Sequence, residues 1–261
     1  MTEASAARGP VASFISPTRN EAENVDEFVK RVVAAMLDRD LDWEIVFADD
    51  SDDDTPAAIE RLSAQGLPVR CVHREPVDRI DSIAGAVKAA VATCTSSIAV
   101  VIDGDLQHPP EILPFMVGPI LSGQADFCIG TRYADSGSAE GLGSVWRRLA
   151  SRSSALFTQA LFPQYFRCTD LASGLFAFRL GDLDADATSR STGFKFLPEA
   201  LVRCDPGRVA DIPYVFEERY GGLSKATVID GVRLATSLVR LRTTTGRVRP
   251  VAMVPHPLEL A

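Results

Sequence analysis

Apolar positions along this chain fall into short β-branched runs that alternate with longer stretches of helical period. Residues 11–16, 43–48, 69–73, 98–102 and 126–131 read as strands. Between them, Val25, Phe28, Val29, Val32, Val33 and Met36 recur at helical spacing over residues 24–37. Residues 55–64 and the Ala-rich 80–93 also read as helices, and Pro109-Pro110 open another that runs to about Leu121. This order implies an α/β fold with a mostly parallel central sheet flanked by helices and joined by right-handed crossovers. Strands one, two and four end in polar loops rich in Asp and Asn. Such a sheet gathers those loops on one edge, where a nucleotide would bind. The second half is less regular. Residues 144–161 look helical and carry Arg147, Arg148 and Arg152; 174–178 read as a short strand, 198–202 as a short helix, 209–216 as a strand and 228–241 as a last amphipathic helix. Without an internal repeat or a clear linker, one domain is expected over residues 11–241. A disordered leader (1–10) precedes it, and a loose tail (242–261), basic and then Pro-rich, follows.

Composition narrows the class. With 261 residues, 46% of them hydrophobic and 24% charged, the chain has enough apolar material for a single sizeable core. A formal net charge of −8 argues against a nucleic-acid partner. The five cysteines (Cys71, Cys94, Cys128, Cys168 and Cys204) are odd in number and form no Cys-x-x-Cys, so they read as buried free thiols of a reducing compartment. Three histidines without ligand spacing argue against zinc. No run of about eighteen apolar residues could span a bilayer, and the first ten residues lack an apolar signal core. The expectation is a cytoplasmic protein, or one peripheral to the cytoplasmic face of a membrane.

The most informative chemistry follows the fourth strand, where Val100-Val101-Ile102 leads into Asp103-Gly104-Asp105-Leu106-Gln107-His108-Pro109-Pro110-Glu111. Two carboxylates at a strand end repel each other unless a cation lies between them. Oxygen ligands of this kind suit Mg²⁺ or Mn²⁺, completed by water and substrate phosphates. Gly104 would let a bulky ligand approach the backbone. A bare Asp-x-Asp is also an ordinary turn, and the flanking strand and the Gln-His-Pro-Pro-Glu that follows are what raise it above that.

Six segments in order resemble family 2 glycosyltransferases of the dolichol-phosphate (polyprenyl-phosphate) mannose synthase type. They are Ser16-Pro17-Thr18-Arg19-Asn20-Glu21-Ala22-Glu23-Asn24, Glu44-Ile45-Val46-Phe47-Ala48-Asp49-Asp50-Ser51, the Asp103 to Glu111 segment, Gly130-Thr131-Arg132-Tyr133, Gly193-Phe194-Lys195-Phe196-Leu197, and Pro213-Tyr214-Val215-Phe216-Glu217-Glu218-Arg219-Tyr220. The resemblance covers about residues 11–240. It implies a GT-A fold, a nucleotide-sugar donor, a divalent metal and a lipid-phosphate acceptor. Carried over residue by residue, Glu21 and Asp50 would hold the nucleoside, with Asp49, Asp52 and Arg19 nearby and Pro17 shaping the loop under the base. Helix capping and loop solvation are the rival roles for these acids, above all for Asp52. Asp103, Asp105 and Gln107 match the metal-binding segment. His108 is expected to be a loop residue beside that site rather than a base. Arg132, Arg147, Ser151, Arg219 and Lys225 match positions that bind phosphates, of which Arg132, Arg147 and Ser151 would meet the acceptor. Arg148 competes with Arg147, and a solvated helix surface is the alternative for both.

The chemistry is coherent. Breaking a sugar–phosphate bond develops oxocarbenium character at the anomeric carbon. A hydroxyl acceptor would need a base, whereas a phosphomonoester, with a second pKa of about 6, is already largely dianionic at neutral pH. Cations that bring one anion to another then matter more than a base. Arginine offers forked hydrogen bonds and lysine a mobile point charge. Residues 219–225 read as a loop able to close over donor and acceptor, or as a plain glycine turn. Departures from the family lie on the donor side: Arg19 stands in place of Tyr, Asp49-Asp50-Ser51-Asp52 in place of Asp-Asp-Gly-Ser, and Arg79-Ile80-Asp81-Ser82-Ile83-Ala84-Gly85 in place of a Leu-Gly loop. They leave the base and sugar open: mannose from GDP-mannose comes first, another donor such as UDP-glucose second. A non-catalytic subunit that keeps the fold is a rival, and a sugar-nucleotide nucleotidyltransferase a weaker one. The basic, amphipathic segment from Lys225 to Arg249 would meet an anionic membrane face or a membrane partner subunit, or else pack on the core.

Overall fold

The computed structural model describes residues 10–79, 82–134, 137, 138, 145–184, 196–218, 220, 228–246 and 249–255; of residues 82, 145–152, 228–231 and 233 it describes the backbone alone. The first half alternates as expected: β1 (Ala12–Thr18), α1 (Ala22–Met36), β2 (Trp43–Asp49), α2 (Thr55–Ala64), β3 (Val69–His73), α3 (Ser82–Val91), β4 (Ile98–Val101), α4 (Leu113–Leu121) and β5 (Phe127–Thr131). Then come α5 (Val145–Leu161), β6 (Phe176–Arg179), α6 (Leu197–Cys204), β7 (Arg208–Pro213), α7 (Val228–Thr244) and β8 (Ala252–Val254). The strands form one eight-stranded sheet in the order β3-β2-β1-β4-β6-β5-β7-β8. Only β6 runs against its neighbours β4 and β5; the other pairings are parallel.

Register explains where chemistry gathers. Thr18 lies opposite Asp49, Asp49 opposite His73, and Ile15 opposite Val101. The C-terminal ends of the parallel strands therefore share one edge. Because β6 is reversed, the segment that precedes it, residues 170–175, reaches the same edge.

Period-two alternation splits the core in two. Phe14, Ile45, Phe47 and Val100 face one layer, and Ile15, Val46, Ala48 and Val101 the other. The first layer is closed by the α1 stripe of Val25, Phe28, Val29, Val32 and Met36. Phe28 meets Phe47 edge-on at 5.9 Å, and truncating such a buried ring to alanine costs about 3–5 kcal/mol. The second layer receives α3, α6 and α7, the last through Leu234, Leu238 and Leu241. Core packing is thus part of what α7 does, while Val232, Val239 and Arg240 point outward.

Two expectations change. The tail is not wholly loose: β8 continues the sheet, Val209 pairing with Met253. The helix expected from Pro109-Pro110 begins as a 3-10 turn, Pro110–Ile112, before α4. The five cysteines are free thiols, and burial, followed by the charges of Asp49 and Glu60, pushes Cys71 up to about 12. The leader 1–9 lies outside the described residues.

Candidate active site

The part of the edge expected from the sequence to hold a nucleoside is built from the ends of β1, β2 and β3. Asn20 ties the first two loops together: its amide donates to Ser51 Oγ at 2.8 Å, and its side-chain oxygen accepts from the Asp52 amide at 2.8 Å. The Glu21 amide donates to Thr55 Oγ1, and the Glu21 carboxylate accepts from Asn24. Asp49 is fully buried; it accepts from Thr18 Oγ1 at 2.8 Å and from Ser51 Oγ at 2.6 Å, and lies 2.6 Å from His73 Nδ1. Asp50 is held by Arg74 through two hydrogen bonds of 2.8 and 2.7 Å, both side chains buried. Asp52 pairs with Arg79 at 2.6 Å, its side chain still more than half exposed. Arg19 is exposed, and Pro17 lines the cavity described below. Reading the acids alone missed Arg74 and Arg79. The signal was the parallel register of β2 with β3, which places the residue after His73 beside the residue after Asp49.

The candidate metal segment follows β4. Leu106, buried between Asp105 and Gln107, has φ of 63°, a left-handed conformation that costs a non-glycine residue roughly 1–2 kcal/mol. Asp105 is buried and accepts from the Gln107 amide at 3.1 Å. Gln107 Nε2 donates to the Glu217 carbonyl at 3.3 Å, which orients the amide and makes its oxygen the natural ligand atom. Asp103 is partly open and packs on the backbone of Gly174, where a Cβ would collide with its carboxylate. Gly104 serves a packing need as well: a Cβ there would sit 2.8 Å from Ser16 Oγ. His108 is buried in the loop that follows β4. Its ring lies 5.3 Å from those of Tyr214 and Phe216, and its Nδ1 is 3.6 Å from Asp103.

Arg132, at the end of β5, is buried. It is gripped by Asp170, itself fully buried, through hydrogen bonds of 2.7 and 2.9 Å. Burial works against its charge, yet the Asp170 hydrogen bonds and charge raise its pKa above the usual arginine value. Its guanidinium also sits 5.4 Å from the Tyr133 ring centroid and 5.3 Å from that of Phe216. Asp170 was not foreseen, because its segment reaches the edge only through the reversal of β6. A cavity of about 190 Å³ lies at the centre; Asp103 and Arg132 share its wall with Ile83, Val101, Ser173 and Phe176.

Asp103, Asp105 and Gln107 suit a hard divalent cation. Among the described residues no cluster of three or more His, Cys, Asp or Glu side chains forms a closed metal cage. Two carboxylates and an amide fit an ion that takes its remaining ligands from water and phosphates. The backbone of Arg147 and Ser151 belongs to α5, but their side chains, like Arg219 and Lys225, lie outside the described residues.

The family model "Glycosyl transferase family 2" matches residues 13–185. The chain belongs to glycosyl transferase family 2. Among curated members, the dolichol-phosphate mannosyltransferase of Pyrococcus furiosus is 33% identical over 214 residues, 82% of this chain and 58% of that protein. The chain thus spans less than two thirds of that relative's length. The undecaprenyl-phosphate 4-deoxy-4-formamido-L-arabinose transferase of Sodalis glossinidius is 30% identical over 240 residues, covering 89% of this chain and 68% of the relative. Glucosyl-3-phosphoglycerate synthase from Mycobacterium tuberculosis, solved with Mn²⁺, UDP-glucose and phosphoglyceric acid, superposes with a TM-score of 0.64 at 19% identity, covering 97% of this chain and 92% of that one. At that identity the likeness establishes the fold, which is GT-A, as the family 2 resemblance implied.

Proposed function

We propose that this family 2 member is an inverting glycosyltransferase that moves mannose from GDP-mannose to a polyprenyl (dolichyl) phosphate, with Mg²⁺ or Mn²⁺ as cofactor. The observation that carries this reading is the single cavity wall shared by Asp103 and Arg132. An acid able to hold a cation and an arginine able to meet a phosphate thus line one cavity. The names of the curated relatives from Pyrococcus and Sodalis support a lipid-phosphate acceptor.

In this reading Glu21, Asp50 and Asp52 bind the nucleoside with Pro17 and Arg19, and Asp103, Asp105 and Gln107 hold the cation. When bound, the cation neutralises the donor diphosphate and stabilises it as leaving group. Arg132, with Arg147 and Ser151, draws in the acceptor phosphate. A phosphate oxygen bonds to the anomeric carbon as the bond to the diphosphate breaks, inverting that carbon and releasing the nucleoside diphosphate. No general base is required, because the acceptor is already ionised. Asp170 keeps Arg132 oriented, and Arg219 and Lys225 close the charge balance around the two anions.

The paired state of Asp50 is compatible with a second donor reading. A carboxylate already bound at both oxygens by Arg74 presents a base with a mixed donor and acceptor surface, which suits a uracil as well as a guanine; UDP-glucose is then the alternative to GDP-mannose. No helix among the described residues is long and apolar enough to cross a membrane. The outward Val232, Val239 and Arg240 of α7 suit a peripheral contact with an anionic lipid surface. The test is incubation with Mn²⁺ or Mg²⁺, polyprenyl phosphate and a panel of sugar nucleotides. GDP-mannose alone should yield glycolipid if the first reading holds, and UDP-glucose if the second does. No product from any donor, together with no metal-dependent nucleotide binding by calorimetry, would leave a non-catalytic binding subunit.

A further inference from the structure

Outside the cavity, one guanidinium joins three parts of the molecule that the chain keeps far apart. Arg31 on α1 donates to Glu111, just past the metal segment, through Nε at 2.9 Å and Nη2 at 2.7 Å. It also donates to Glu217 through Nη1 at 3.0 Å and Nη2 at 3.2 Å. Glu217 begins the segment that leads through Arg219 toward Lys225. Two of its described residues, Glu217 and Tyr220, bond backbone to backbone with the loop of Asp105 and Gln107. The Glu217 amide donates to the Gln107 carbonyl at 2.9 Å, the Tyr220 amide to the Asp105 carbonyl at 3.4 Å, and Gln107 Nε2 returns a bond to the Glu217 carbonyl. Single exposed ion pairs do little. A fork bonded twice to each of two carboxylates, with less than a quarter of the arginine side chain exposed, is the geometry in which they do more.

We infer that Arg31 is a positioning residue for the metal site: by holding Glu217 against the metal loop it orients the Gln107 amide. The inference rests on the metal assignment of Asp103, Asp105 and Gln107. The physical route is the one by which outer hydrogen bonds orient metal ligands, where losing a partner commonly weakens metal binding by roughly 10- to 100-fold. Arg31 acts one bond further out, so about a fivefold to tenfold effect is expected. Binding of the cation and docking of Glu217 are then coupled, since both depend on the same Gln107 side chain.

The test compares the full chain with its Arg31→Met, Arg31→Lys and Glu217→Gln variants. Mn²⁺ is titrated by calorimetry in the presence of GDP and, separately, UDP, and amide hydrogen exchange at Glu217 is followed without metal. Arg31→Met should raise the Mn²⁺ midpoint about fivefold to tenfold and speed exchange at the Glu217 amide. Glu217→Gln should do the same to a lesser degree, and Arg31→Lys should restore part of both, since lysine keeps the charge but not the fork. A role confined to stability would lower the melting temperature and leave the midpoint, measured well below melting, where it was. That result, or unchanged exchange at Glu217, overturns the inference alone. A wild-type chain that takes up no Mn²⁺ with either nucleotide overturns the functional reading and this inference with it.

Discussion

The two halves of the active edge treat their carboxylates in opposite ways. Over β1–β3, acids meet bases within the chain: Asp49 with His73, Asp50 with Arg74, and Asp52 with Arg79. Past β4, Asp103 and Asp105 stand one residue apart, Asp103 in the wall of a cavity and Asp105 braced by a backbone amide. A carboxylate with a buried partner repays its desolvation inside the folded chain, so it shapes the pocket before any ligand arrives. Among the described residues, no arginine clasps Asp103 or Asp105 as Arg74 clasps Asp50; Asp103 has His108 Nδ1 at 3.6 Å. On the functional reading proposed above, a cation would add to the partners of this second half, whereas the first half is paired within the chain.

Breaking the internal pairs should therefore show first in stability. Asp170→Asn leaves Arg132 charged and buried, and Asp50→Asn does the same to Arg74. Each should lower the unfolding free energy by about 3–5 kcal/mol, the usual result of removing one partner from a buried pair. Urea denaturation measures this. A loss under 1 kcal/mol at both positions would mean that these pairs are open to water and that the contrast does not hold.

On the metal side the balance reverses. Asp105→Ala should reduce transfer on the order of 10²-fold or more, since the bound cation supplies several kcal/mol of charge stabilisation. Its stability should fall less than at the clasped acids, by about 1–2 kcal/mol, because Asp105 is held by hydrogen bonds such as that from the Gln107 amide and not by a buried arginine. Retained activity would remove Asp105 from the site. Gly174→Ala probes the same region more gently. The new methyl meets the Asp103 carboxylate, which can swing aside at little cost to the fold. Activity should drop about tenfold, because small displacements at a reacting centre are expensive. Unchanged turnover would show that Asp103 tolerates the shift and contributes little.

How far the chain could be read follows the same division. Strand runs such as 43–48 and the α1 stripe were legible because one face of each must be buried. The Asp103-Gly104-Asp105 segment could be singled out as a candidate because its pattern is local. Asp170, Arg74 and Arg31 were not, because each matters through a partner distant in sequence. Asp170 reaches Arg132 only because β6 is antiparallel, and Arg74 reaches Asp50 only through the register of β3 on β2. Arg31 looked like any charged position on an amphipathic helix until Glu111 and Glu217 were placed beside it. The strand β8 escaped notice because three residues at a sheet edge carry too short a pattern.

The smallest effect should come from the opposite end of the same strands, where a pair has no ligand to serve. Glu44, at the start of β2, accepts from Ser13 Oγ at 2.7 Å and from Arg70 Nε at 2.7 Å. Burial works to raise its pKa, but the hydrogen bonds from Arg70 and Ser13 and the charge of Arg70 outweigh it, so the folded value lies below the ordinary 4.5. A carboxylate with a depressed folded pKa stabilises fully above its unfolded value and loses that contribution as pH falls through the folded one. Glu44→Gln should thus cost about 1 kcal/mol or less near pH 7, with no change in metal-dependent nucleotide binding. The gap between wild type and variant should narrow below pH 4.5, as Glu44 takes up its proton and comes to resemble the neutral amide. Urea midpoints of the two proteins at descending pH measure it; a gap that stays constant through the acid range would show that the carboxylate charge contributes nothing there, and a change in nucleotide binding would tie this remote pair to the site after all.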